Sequence, residues 1–124
     1  MQSLLIVDDE SNICFALEEY FTLRGFQVDC VQRMEEASEL LKTQNYAAAI
    51  VDLRLAGTDN LDGLKLVQRI RESSPSTRCV ILTGCESVEI EAEALKSGAD
   101  VFLRKPKPLA ELAEVISDLL EREK

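Results

Sequence analysis

Five polar residues follow short apolar runs of the sequence, and their side chains are of types that can move a phosphoryl group. They are Asp8 and Asp9 after residues 4–7, Asp52 after residues 47–51, Thr83 after residues 80–82, and Lys105 shortly after residues 101–103. Three carboxylates brought together would repel one another by about 4 kcal/mol per pair at roughly 4 Å in a surface dielectric, so a cation must lie among them. Oxygen ligands without histidine or paired thiols favour Mg²⁺, with Mn²⁺ as a substitute.

The same residues divide into the roles that phosphoryl transfer requires. Asp52 is the candidate nucleophile and would form an aspartyl phosphate. Lys105 adds a positive charge beside the incoming group, and the Thr83 hydroxyl can donate to one of its oxygens. Each position also has a structural explanation, since the first two acids can cap a helix, Thr83 can begin a turn and Lys105 can be an exposed loop charge. It is their convergence at one place that favours the chemical interpretation.

Apolar runs of strand length alternate five times with amphipathic stretches of helix length, which predicts a parallel sheet covered by helices on both faces. The helical stripes are Ile13, Leu17 and Phe21; Met34, Ala37, Leu40 and Leu41; Leu64, Val67 and Ile70; Val88, Ala92 and Leu95; and Leu109, Leu112, Ala113, Ile116 and Leu119. Gly25 and Gly98 are placed to end the first and fourth helices. Because the carboxyl ends of parallel strands meet at one edge, the α/β fold would bring the chemical residues together there.

The composition is that of one globular domain, with 124 residues, 46% of them hydrophobic and 30% charged. We expect a single unit over residues 1–124. The net charge of −9 disfavours direct binding to nucleic acid or to an anionic membrane. No stretch is typical of a signal peptide or a membrane span, so we expect a cytoplasmic location. Four scattered cysteines without histidine predict reduced, mostly buried thiols rather than zinc or a disulfide framework.

Five motifs, taken in order along essentially the whole chain, resemble the receiver domain of two-component response regulators. They are Val7-Asp8-Asp9-Glu10, Val51-Asp52-Leu53-Arg54, Leu82-Thr83-Gly84, the Ala-Leu-Lys-Ser-Gly-Ala-Asp run at 94–100, and Leu103-Arg104-Lys105-Pro106. The resemblance implies a flavodoxin-like receiver fold, with five parallel strands in the order 2-1-3-4-5.

The resemblance also implies how each site residue acts. Asp52 would accept a phosphoryl group from a phosphohistidine on a histidine kinase or a histidine phosphotransfer protein. Thr83 and Lys105 would contact that group. The implied magnesium ligands are Asp8, Asp9, Asp52 and the backbone carbonyl of Arg54.

Signalling in such a domain would depend on residues around the acceptor. Phe102 stands three residues before Lys105, at the family's switch aromatic position, so phosphorylation would draw Thr83 inward and Phe102 after it. The alternative for Phe102 is an ordinary core aromatic. Arg54 and Cys85, two residues after the acceptor and the threonine, would tune the lifetime of the phosphoryl group. The output partner or domain is not determined by these residues.

The chain departs from the family pattern in the loop after the acceptor. Ala56 replaces the usual proline, and residues 57–64 form a longer connection than usual. The last helix carries Glu111, Glu114 and Asp118 outward. Regulators that dimerise through this face with winged-helix output domains usually have basic residues there, so that subtype is disfavoured, although a phosphorylation-dependent homodimer remains one option.

Two other functions are compatible with parts of the pattern. A degenerate receiver would act as a constitutive interaction scaffold without phosphorylation, but the complete acidic, threonine and lysine set argues against it. A phosphatase that uses an aspartyl phosphate would need an acid two residues after Asp52, where Arg54 stands. We therefore expect a phosphoacceptor domain that assists its own phosphorylation and dephosphorylation and is not an enzyme acting on other substrates.

Overall fold

Strands and helices alternate along the chain in the computed structural model, which describes residues 2–53, 62–84 and 87–121. The strands are β1 (Ser3–Val7), β2 (Gln27–Val31), β3 (Ala48–Val51), β4 (Arg78–Thr83) and β5 (Val101–Arg104). The helices are α1 (Ser11–Leu23), α2 (Met34–Thr43), α3 (Asp62–Ser73), α4 (Val88–Ser97) and α5 (Leu109–Glu121). All neighbouring strands are parallel, in the order β2-β1-β3-β4-β5, which confirms the predicted fold class.

The two faces of the sheet carry separate hydrophobic clusters. One face packs against α2, α3 and α4 through residues such as Leu5, Leu66 and Ile70, and the other packs against α1 and α5 through residues such as Leu4 and Ile116. Since successive side chains of a strand point to opposite faces, a central strand covered on both sides must be apolar at every position. This is why the runs in β1 and β3 are uninterrupted and end only where the site begins.

Helix α4 presents a different face to the core from the one expected. The sequence prediction placed Val88, Ala92 and Leu95 inward, but Val88 is 72% exposed, Leu95 is 43% exposed and Ala92 is also exposed. Ala94 is buried against the sheet instead, and Ile90 packs beside it. The prediction was wrong because α4 has apolar residues on more than one face, and their spacing does not show which face meets the sheet.

A network at the amino edge of the sheet holds β4 and β5 in register. The Arg71 guanidinium donates to the Gly98 carbonyl at 2.9 and 3.2 Å, to the Pro75 carbonyl at 2.8 Å and to Asp100 Oδ2 at 3.0 Å. The same Asp100 oxygen accepts from the backbone N–H of Cys79 at 2.8 Å. Arg71 therefore ties the end of α3 to the end of α4 and, through Asp100, to the start of β4.

Replacing Arg71 by Ala should lower the free energy of unfolding by about 2 kcal/mol, because several charge-assisted bonds to a partly buried carboxylate and carbonyls are lost together. Arg71→Lys should recover less than half of the loss, since an ammonium cannot span the same acceptors. Arg69→Ala is the matched control, because Arg69 makes one exposed bond to Ser38. Urea unfolding measures all three, and an equal loss for both alanine variants would contradict the proposed role.

Candidate functional site

Backbone hydrogen bonds extend the sheet by one residue at its carboxyl edge and fix where the polar residues stand. Asp8 N–H donates to the Val31 carbonyl at 3.1 Å, and Asp52 N–H donates to the Val7 carbonyl at 2.9 Å. Lys105 N–H donates to the Thr83 carbonyl at 2.8 Å. Each side chain is thus placed by a neighbouring strand end, as the sequence predicted for a parallel sheet.

Lys105 joins the acids into one cluster. Its ammonium lies 2.8 Å from Asp8 Oδ2, 3.0 Å from Asp52 Oδ2 and 3.0 Å from Glu10 Oε1. Asp8 is 3% and Asp52 is 6% exposed, whereas Glu10 stands at the solvent side. The sequence analysis gave no role to Glu10, although three successive acids after β1 were a signal that a third carboxylate could reach the site.

Burial and charge pairing act against each other in this cluster. Burial raises the pKa of the Asp8 carboxyl above its ordinary value, although the hydrogen bond from Lys105 acts to lower it. For Lys105, burial alone would lower the pKa, but the hydrogen bonds to Asp8, Asp52 and Glu10 outweigh it and raise the pKa. The lysine therefore stays charged in a largely buried position.

The carboxylates form a set that fits a hard divalent cation. One oxygen from each of Asp8, Asp9, Glu10 and Asp52 lies within 4.8 Å of the others. Lys105 supplies one positive charge to these four acids, which leaves an excess of negative charge for a metal to neutralise. All the donors are oxygens, the ligands that Mg²⁺ and Mn²⁺ prefer. Asp8 is already oriented, because its Oδ1 accepts a hydrogen bond from Glu10 N–H at 2.9 Å.

Thr83 lies on β4, the strand next to β3 and Asp52, and Phe102 lies on β5, one strand further along the sheet. Thr83 ends β4 and is buried at the same edge as Asp52. Phe102 pairs in register with Ile81 and is half-buried against the cluster under α3 and α4. The Arg104 guanidinium lies 5.4 Å from the centre of the Phe102 ring, and it also bonds Glu91 of α4 at 2.6 Å. Two other predicted site residues, Arg54 and Cys85, lie outside the described residues.

Gly63 packs against the backbone of Asp52 and Leu53, and the sequence analysis gave it no role. Its N–H donates to the Leu53 carbonyl at 3.0 Å. A Cβ on this residue would lie 2.5 Å from the Asp52 carbonyl oxygen and 2.6 Å from Leu53 Cα, so only glycine fits against the Asp52 backbone. The available signal was a glycine directly before the amphipathic stripe that begins at Leu64, because a glycine within a helix lowers its stability and needs a packing reason.

A family model described as the response regulator receiver domain matches residues 4–117. The chain belongs to the response regulator receiver domain family. The resemblance noted from the sequence motifs is thereby confirmed, and the protein is a receiver of the two-component systems. No helix in the described part of this receiver has the length and apolar character to cross a membrane.

Relatives of this receiver include larger regulators. The transcriptional regulatory protein TctD of Salmonella typhimurium strain SL1344 is 35% identical over 119 residues, and the match covers 96% of this chain and 52% of TctD. The receiver thus spans about half the length of that relative.

Two solved structures share both the fold and more than a quarter of the sequence. The receiver domain of the Francisella response regulator 1452 is 29% identical, with a TM-score of 0.88 over 100% of both chains. A response regulator from Burkholderia pseudomallei, solved with a phosphorylated aspartic acid, calcium ion and citrate, is 28% identical with a TM-score of 0.85, covering 99% of this chain and 73% of that one.

Proposed function

We propose that this receiver accepts a phosphoryl group on Asp52 from the phosphohistidine of a histidine kinase or histidine phosphotransfer protein, and that phosphorylation switches the binding of an output partner. The observation that carries the proposal is the position of Lys105, whose ammonium contacts the carboxylates of both Asp52 and Asp8 at the edge of the sheet. A nucleophilic carboxylate beside a fixed cation and spare acidic ligands is the arrangement that phosphoryl transfer needs.

In the proposed reaction a carboxylate oxygen of Asp52 attacks phosphorus, the phosphorus–nitrogen bond of the donor breaks, and the electron pair leaves with the imidazole. Lys105 exchanges its bond to Asp52 Oδ2 for one to a phosphoryl oxygen, and the Thr83 hydroxyl donates to another. Asp8, Asp9, Asp52 and the backbone carbonyl of Arg54 would hold magnesium, which would neutralise part of the phosphoryl charge. The ion pairs to Asp8 and Glu10 keep Lys105 in place while its third partner changes.

The switch would act through β5, the strand that directly precedes Lys105. Thr83 moving toward the phosphoryl group would vacate space beside β5, and Phe102 would rotate inward to fill it. In the described structure Arg104 covers the Phe102 ring and is bound to Glu91 of α4, so rotation of the ring would disturb this ion pair and change the α4–β5 surface. We infer that this surface reports phosphorylation to the partner.

Related proteins support the proposed phosphorylation of an aspartate, but they do not determine the output partner. The Burkholderia response regulator carries a phosphorylated aspartic acid with calcium, which is the state proposed here with magnesium or manganese. TctD is a transcriptional regulatory protein, so a transcriptional output is one option for this receiver. We further propose that residues 1–124 form one phosphoacceptor domain that works in the cytoplasm and is not an enzyme acting on other substrates.

The test is intact mass spectrometry after incubation with acetyl phosphate, a small phosphodonor, in magnesium and in excess EDTA. We expect one phosphoryl adduct that requires the metal and is lost in mild base, as an acyl phosphate is. A folded protein that gains no adduct in magnesium would contradict the proposal and favour a constitutive scaffold.

A further inference from the structure

Helix α4 is held in different ways at its two ends. At the carboxyl end, the Arg71 guanidinium of α3 donates to the Gly98 carbonyl at 2.9 and 3.2 Å. In the amino-terminal half, Glu91 Oε1 accepts a hydrogen bond from Arg104 Nη2 of β5 at 2.6 Å. The carboxyl end is therefore fixed to α3, whereas an ion pair between partly exposed side chains joins the amino-terminal half to β5.

Apolar packing contributes little to the attachment of α4. Ala94 is the buried residue of this helix, and Ile90 packs beside it as a partly buried side chain. Val88, at the start of the helix, is 72% exposed. Because most helices in proteins are stabilised by packing of an apolar face, the Arg104–Glu91 ion pair supplies a substantial part of what holds the amino-terminal half of α4 in place.

Arg104 connects this ion pair to the candidate site. Its backbone lies opposite Thr83 in the register of β4 and β5, and the next residue is Lys105. Its guanidinium lies 5.4 Å from the centre of the Phe102 ring. Since the guanidinium covers the ring and is held there by Glu91, rotation of the ring would have to displace it. One side chain thus contacts both the proposed switch aromatic and α4.

We propose that the Arg104–Glu91 ion pair is a latch, which holds α4 in its unphosphorylated position and opposes the switch, and that α4 moves about the carboxyl end held by Arg71. The inference rests on the proposed function, because the switch that the latch opposes is the one driven by phosphorylation of Asp52. A contact made in one of two states weakens, by linkage, every ligand that favours the other state. Removing the latch should therefore tighten the binding of a phosphoryl analogue.

The experiment uses the full chain with Glu91→Gln, Arg104→Gln and the double variant. Amide hydrogen exchange, followed by peptide mass spectrometry, measures the opening of α4, and calorimetric titration with beryllium fluoride in magnesium measures the affinity for a phosphoryl analogue. In both single variants the amino-terminal half of α4 should exchange about two- to fivefold faster, and beryllium fluoride should bind about two- to fivefold more tightly, as for loss of a partly exposed ion pair. The double variant should behave like Arg104→Gln, because either change already removes the pair.

Glu93→Gln is the matched control, because it makes the same chemical change at an exposed position of α4. It should exchange and bind beryllium fluoride like the parent receiver. Unchanged exchange in Glu91→Gln, or faster exchange without tighter binding of beryllium fluoride, would overturn the latch. A parent receiver that does not bind beryllium fluoride would contradict the proposed function instead, and the exchange measurement, which needs no phosphoryl group, would still decide whether the ion pair holds α4.

Discussion

Asp52→Asn should abolish the phosphoryl adduct formed with acetyl phosphate and magnesium, because the amide has no anionic oxygen to attack phosphorus. Asp52 is 6% exposed, directly follows β3, and has its Oδ2 3.0 Å from the Lys105 ammonium. An amide of the same size keeps the packing, and Lys105 retains its bonds to Asp8 and Glu10. We therefore expect a folded protein with at least about a 100-fold lower phosphorylation rate, as for loss of a nucleophile.

The control for this experiment is Asp118→Asn, which makes the same chemical change on the exposed side of α5. It should be phosphorylated like the parent receiver. Circular dichroism and urea unfolding of both variants separate loss of chemistry from loss of fold. An adduct of parent stoichiometry on Asp52→Asn would show that another residue is the acceptor and would remove the mechanism proposed for this site.

Gly63→Ala should both destabilise the protein and weaken phosphorylation, because the new methyl group has no space. Its nearest atoms are backbone atoms of Asp52 and Leu53, at 2.5 and 2.6 Å, which cannot rotate away as a flexible side chain would. Overpacking of this kind costs about 1–3 kcal/mol, and alanine recovers up to about 1 kcal/mol through its higher helix propensity. We expect the free energy of unfolding to fall by about 2 kcal/mol. Adduct formation should also slow, because the backbone of Asp52 itself must move.

Gly84→Ala provides the comparison for stability. Among the described residues other than its chain neighbours, no atom lies within 4 Å of the Cβ it would add, and Gly84 is not among the glycines with positive φ. Its free energy of unfolding should change by less than about 0.5 kcal/mol, as for an ordinary surface position. Urea unfolding measures the stability of both variants. If Gly63→Ala were as stable as the parent, helix α3 would be able to shift away from Asp52 without a loss of stability.

Local patterns in the sequence were sufficient to predict the strands and helices and the residues at the carboxyl edge of the sheet. An uninterrupted apolar run that stops at an acid identifies a doubly covered strand and the residue at its carboxyl end, as at Asp8 and Asp52. Parallel pairing then brings such ends together, and Lys105 joins them as a consequence. The chemical roles of all the site residues stay predictions, and the Asp52→Asn experiment tests the role of the nucleophile.

Contacts between distant parts of the chain were decided only by the tertiary structure. The Glu10–Lys105 pair joins residues 95 positions apart, and no local pattern distinguishes Glu10 from an exposed acid. The burial of Ala94 in place of Leu95 depends on how α4 lies on β5, because a helix with apolar residues on two faces can pack either one. Gly63 became informative for the same reason: the importance of a residue without a side chain depends on which backbone lies against it, and that is a property of the packed fold.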